Sequence, residues 1–285
     1  MVGWTGRAYQ SVRPSSPNTE SNGRSVTCDR APVYADPMRV GSLIPVSLMG
    51  GALVAVLVWN DVLPGGWTLR GWITPHAERE SLEQAEHAAS RMAQFEDLCA
   101  NAQPGAIAFL GSSTIERFPL AELFPGKNCL NLGIGNESTS ALISRLDRSI
   151  PEDIAGAVLY VGSIDFRYQH RRPESIAALV GEIFDQLRAR SPELPLALIG
   201  VLPEQSMDAS FVAELNQVNS ALQALCLERD GAFVSTARPP ITDANGSLNP
   251  EMAADRLHLG PQGYLQLARW LTEDGGAMGQ LLQTN

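Results

Sequence analysis

The chain has 285 residues, 44% of them hydrophobic and 18% charged, with a formal net charge of -10. That is apolar enough for one large core, and the acidic balance argues against a general nucleic-acid surface, which needs clustered cations. The nearest basic patch, His170, Arg171 and Arg172, reads as a solvated loop. Four cysteines, Cys28, Cys99, Cys129 and Cys226, form no CxxC pair, so nothing points to a thiolate zinc site.

Residues 1–38 are rich in Ser, Pro, Asn and Gly and read as a disordered tail. Residues 40–60, VGSLIPVSLMGGALVAVLVWN, carry no charge and can cross a hydrocarbon core of ~30 Å as a helix. Arg7, Arg13, Arg24, Arg30 and Arg39 precede this run, and the next basic residue is Arg70. The positive-inside rule therefore puts the N-terminus in the cytoplasm and the remainder outside. The expectation is a single-pass anchor in a bacterial-type inner membrane, with the main domain periplasmic or extracellular; a cleaved signal peptide and a buried helix of a soluble domain are the alternatives. Residues 61–76 read as a linker. An amphipathic helix follows within 77–103, with Leu82, Ala85, Ala89, Met92 and Phe95 at three- and four-residue steps. It is expected to pack on the domain behind it, and its His87 reads as a surface residue.

From residue 104 to 275 short apolar runs alternate with helical patterns. The candidate strands are 106–111, 129–133, 156–162, 194–201 and 231–235. The candidate helices lie near 138–148, 173–190, 211–228 and 261–273. Near-continuously apolar strands separated by helices predict a three-layer α/β sandwich with about five parallel strands, covered on both faces. Its ligand site belongs at the carboxyl ends of the strands. Residues 276–285 read as a flexible tail.

Two segments carry chemistry. The first strand runs into Gly111-Ser112-Ser113-Thr114-Ile115, a turn with hydroxyls at the start of a helix, whose free N–H groups suit a developing oxyanion. Near the far end stands Asp255-Arg256-Leu257-His258. An acid three residues before a histidine can hold one ring nitrogen and leave the other to take a proton. Each motif alone is also compatible with capping or an ordinary ion pair.

Together, IAFLGSSTIERF and DRLHLGPQGYLQLARW resemble the first and last blocks of the GDSL esterase/lipase family, also called the SGNH hydrolases. That family includes small bacterial esterases and the catalytic subunits of platelet-activating-factor acetylhydrolase. The resemblance covers roughly residues 104–273 and implies a flavodoxin-like fold. It implies ester hydrolysis by Ser113 as nucleophile, His258 as base and Asp255 as its orienting acid, with no metal or cofactor. The second block is Asn131-Leu132-Gly133-Ile134-Gly135-Asn136-Glu137, with Asn136 at the family's glycine position. The resemblance makes the N–H groups of Ser113 and Asn136 the oxyanion hole, in a loop shaped by Gly135; only proline would remove such an N–H. The third block is Gly162-Ser163-Ile164-Asp165, where Ile164 replaces an asparagine that serves as a further oxyanion donor. Losing one such donor costs ~2.7–4 kcal/mol, unless Ser163 or the Asn136 side chain takes its place. Gly162, Ser163, Ile164, Asp165 and Phe166 are expected to line or brace the pocket. The substrate expected is a lipid ester, a glycan O-acyl group or a small ester. Acyl transfer to a glycan and a catalytically silent binding domain of the same fold are the alternatives.

Overall fold

A computed structural model describes residues 76–283. The tail 1–38, the apolar run 40–60 and the linker up to residue 75 lie outside the described residues. Among the described residues, no helix is long and apolar enough to cross a membrane.

The first element is helix α1 (His76–Ala100), followed by β1 (Ala106–Gly111), the short helices α2 (Ser113–Glu116) and α3 (Leu120–Leu123), and β2 (Cys129–Gly133). Helix α4 (Thr139–Arg145) continues as a 3-10 turn over Leu146–Arg148 into β3 (Ile154–Tyr160). Then come α5 (Ser163–Arg167), α6 (Pro173–Arg190), β4 (Leu196–Ile199), α7 (Ala209–Glu228), β5 (Ala232–Val234), α8 (Pro261–Asp274) and α9 (Gly276–Leu282). The strands form one parallel sheet in the order β2-β1-β3-β4-β5. This α/β fold fits the flavodoxin-like expectation.

All six residues of β1 are buried, because a parallel sheet is covered on both sides. The two-residue period of the strand sorts them. Ala106, Ala108 and Leu110 join a core with Phe95 of α1, Leu142 of α4, Ile183 of α6 and Leu222 of α7. Ile107 and Phe109 face the opposite core with Phe118, Leu267 and Leu271. α6 begins with Pro173 at its first position, where the missing N–H leaves no partner unbonded. It buries Ile176, Val180, Ile183 and Leu187 along one face.

Two expectations change. Residues 276–285 were expected to form a loose tail, but Gly276–Leu282 is the helix α9, with Met278 and Leu282 buried. Two buried apolar residues four apart dock this short helix against β3, β4 and β5, a signal too short to see as a period. The third strand lies at 154–160 and not 156–162, because Gly162, at φ 92°, already turns the chain into α5.

Candidate active site

The site forms where β1 leaves the sheet. Gly111 has φ 140°, and a side chain there would run into the Tyr160 carbonyl on β3, so the tight exit requires glycine. Ser112 is buried; its N–H donates to the Tyr160 carbonyl at 3.2 Å, and its own carbonyl accepts from Ile115 and Glu116 at 2.9 and 3.0 Å. That short turn leaves Ser113 partly exposed above the sheet.

The Asp255–His258 turn closes on itself. Asp255 Oδ1 accepts from the N–H groups of Leu257 and His258 at 2.9 and 2.8 Å, the local closure that makes Asp a turn former. The same carboxylate lies 2.9 and 2.8 Å from His258 Nδ1 through its two oxygens. The other ring nitrogen, Nε2, lies 3.0 Å from Ser113 Oγ. An adjacent carboxylate favours the tautomer protonated on Nδ1, so Nε2 accepts from the serine hydroxyl. Partial burial acts to raise the Asp255 pKa. The Leu257 N–H, the His258 ring and the His258 N–H outweigh it and hold the group well below the usual carboxylate range. The turn is also tied outward: Ala254 N–H donates to the His258 carbonyl at 2.8 Å, and Gln205 N–H to the Arg256 carbonyl at 2.9 Å. From α8, Tyr264 Oη donates to the Thr114 carbonyl at 3.0 Å, linking the Asp–His end of the chain to the serine turn.

Asn136 has φ 60°, in the left-handed region that asparagine tolerates better than most residues. The chain is pinned on both sides of it. Glu137 is buried and paired with buried Arg145 through both oxygens, at 2.5 and 2.7 Å. Burial pushes the Glu137 pKa up, and the Arg145 contact works against that rise. Arg145 also donates to the Leu132 carbonyl and to Ser149 Oγ, at 2.8 and 2.9 Å. Thr139 donates twice to Asp165 Oδ2, through its N–H and its hydroxyl, each at 2.8 Å.

In the third turn, Ile164 alone of the five predicted pocket residues keeps partial exposure. Ser163 is buried and accepts from Arg167, which also donates to the Leu202 carbonyl. Asp165 is fully buried and braces the start of α4, with Arg171 Nε 3.4 Å away. Phe166 packs on Phe211 with ring centroids 5.0 Å apart and borders a cavity of about 210 Å³ with His170, Arg171 and Glu214. Sequence reading passed over Arg117, whose Nη1 reaches Asp255 Oδ2 at 3.4 Å, and over the Glu137–Arg145 pair. The first was concealed because its partner lies 138 residues away. The second sits at an eight-residue spacing that signals nothing by itself. Among the described residues, no group of three or more His, Cys, Asp and Glu could hold a metal.

A parallel-sheet domain that lines up a serine hydroxyl, an imidazole and a carboxylate at the carboxyl end of its strands falls in the class of flavodoxin-like acylhydrolase folds. The chain matches the GDSL-like Lipase/Acylhydrolase family over residues 110–265, more than half its length, and belongs to that family. It is 25% identical over 185 residues to the platelet-activating factor acetylhydrolase IB subunit alpha1 of Bos taurus, covering 61% of this chain and 79% of that one. Among solved structures, a GDSL-like lipase from Bacteroides thetaiotaomicron superposes with TM-score 0.57 at 17% identity, covering 68% of this chain and 100% of its own. A catalytic mutant of Axe2, an acetylxylan esterase from Geobacillus stearothermophilus, does so with TM-score 0.50 at 15% identity, covering 65% and 100%. Family membership supports hydrolysis of esters in general.

Proposed function

We propose that this protein is a serine ester hydrolase that works through an acyl-enzyme. The observation that carries the proposal is the hydrogen-bonded line from Ser113 Oγ through His258 to Asp255. Ser113 attacks the acyl carbonyl while His258 Nε2 takes its proton, and the Asp255 carboxylate stabilises the imidazolium that forms. The N–H groups of Ser113 and Asn136 stabilise the tetrahedral oxyanion. His258 then returns the proton to the leaving alcohol. Water attacks the acyl-Ser113 ester by the same route, yielding the acid and restoring the hydroxyl.

An acyl ester of a lipid or a glycan is the substrate class we favour, in keeping with an acetylhydrolase subunit among the relatives and an acetylxylan esterase among the structural neighbours. In this reading the apolar run 40–60 holds the domain at the outer face of a bacterial inner membrane. With Ile164 in the third turn, the oxyanion rests on fewer donors than an asparagine there would provide, so we expect a slow enzyme.

The test uses the full-length chain beside Ser113→Ala, with a fluorophosphonate probe and a panel of esters of increasing acyl length. Labelling and turnover that vanish in the variant support the proposal. Turnover equal in both proteins would refute a serine mechanism, and a folded wild type without labelling would favour a silent binding domain.

A further inference from the structure

Helix α1 lies outside the stretch that matches the family, yet its polar side chains reach the candidate oxyanion loop. β2 is an edge strand, so the outer row of its backbone groups needs partners from elsewhere. Gln84, His87, Arg91 and Phe95 recur at helical spacing on one face of α1. Phe95 is fully buried and anchors that face; the guanidinium groups of Arg91 and Arg145 lie 4.9 and 5.2 Å from its ring centre. Arg91 donates to the Gly133 carbonyl at 2.9 Å and to the Asn131 carbonyl at 3.2 Å. Gln84 donates to the Gly135 carbonyl at 2.6 Å. The Gly135 N–H donates to Glu116 Oε2, and His87 Nε2 lies 3.0 Å from that same oxygen.

A helix that served only to cover a sheet would turn an apolar stripe inward. This one does so with Ala88, Met92, Phe95 and Cys99, and beside that stripe it turns three hydrogen-bonding side chains toward the backbone of residues 131–135 and the acid beside it. Both peptide groups of Gly135 are thereby held, one by Glu116 and one by Gln84. The second of them is the peptide whose nitrogen belongs to Asn136.

We infer that Glu116, Gln84 and His87 are positioning residues that aim the Asn136 N–H, with Glu116 tying the Ser113 helix to the oxyanion loop and α1 clamping both from outside. The inference rests on the hydrolase proposal for its kinetic consequence. An oxyanion donor acts only if it is held within about 0.5 Å of its productive place, and Gly135 is the residue least able to hold itself there. Loosening the clamp therefore weakens transition-state binding more than substrate binding.

The experiment uses the full-length chain and two readouts. Gln84→Ala and Glu116→Ala should each lower kcat about tenfold with KM changed less than about twofold. His87→Gln, which keeps a donor for Glu116, should stay near wild type, while His87→Ala should fall several-fold. Independently of activity, amide hydrogen exchange of peptides covering 131–137 should speed up about tenfold in Gln84→Ala and Glu116→Ala. If Glu116→Ala does not fold, Gln84→Ala carries the exchange test, and Glu116→Gln, which keeps an acceptor oxygen for the Gly135 N–H, should exchange near wild type. Wild-type exchange in folded Gln84→Ala or Glu116→Ala, or a change confined to KM, would overturn the inference. An unchanged Ser113→Ala turnover would refute the hydrolase proposal alone, and the exchange result would still judge the clamp.

Discussion

The two halves of the candidate site are built in different ways. The serine turn and the Asn136 loop are embedded. Gly111 touches the backbone of β3, Glu137 and Arg145 are buried together, and Asp165 reaches across to α4. The Asp255–His258 turn lies nearer the surface, with the Asp255 side chain 50% exposed and the His258 ring 15% exposed, and it is shaped mainly by hydrogen bonds within its own four residues. The embedded half draws its geometry from packing, so its faults should appear as lost stability as well as lost rate. The exposed half draws its geometry from one carboxylate, so its faults should appear mainly as lost rate, with a smaller loss of stability that depends on pH.

The largest expected effect is that of Ser113→Ala. It should reduce ester turnover at least ~10⁴-fold, while the melting temperature stays near that of wild type, because the change removes only a partly exposed hydroxyl bonded to His258 and leaves the packed backbone of the turn in place. Asp255→Asn should follow, with a fall of ~10³–10⁴-fold, since the amide disfavours the working tautomer of His258. Because the folded-state pKa of Asp255 is depressed, its carboxylate stays charged below the usual range. Its share of stability is complete above the unfolded value of ~3.9, declines progressively as pH falls below that, and is gone once pH passes the lower folded value. Wild-type thermal melts compared with Asp255→Asn should therefore differ least at the acid extreme. A gap that opened instead as pH fell from 5 to 2 would contradict this.

In the embedded half, Arg145→Met leaves a buried carboxylate without its partner and should cost ~3–5 kcal/mol by denaturant unfolding. A smaller loss would mean the region tolerates more than its contacts suggest. Asn136→Ala places a side chain that disfavours positive φ at 60° and should cost about 1 kcal/mol, whereas Asn136→Gly should be close to neutral. The smallest effect concerns thiols. Burial pushes Cys129 and Cys226 up to about 12, so both should resist alkylation at pH 8 until the protein unfolds.

The exposed half was legible because Asp255 and His258 are three residues apart and their contact is local. Ser113 could be found because a buried strand runs straight into it. Glu116 could not: its partners Gly135 and His87 are 19 and 29 residues distant, and His87 read as a plain surface residue. Asp165 carried no sign of whether it faced the pocket or α4. The direction of a side chain in a short turn depends on which neighbour needs its oxygen. α9 was hidden for a related reason, since a seven-residue helix has too few residues to show a period.

By itself the amino-acid order determined the parallel α/β layout, the serine at the end of the first strand and the Asp–His pair. Those follow from burial patterns and from bonds that span a few residues. Only the tertiary structure decided that Ser113 Oγ and His258 Nε2 meet at 3.0 Å across 145 residues, that Asn136 is held at positive φ, and that α1 grips the loop beside it. Distances between remote segments are set by how whole layers pack, and no local pattern of residues contains them.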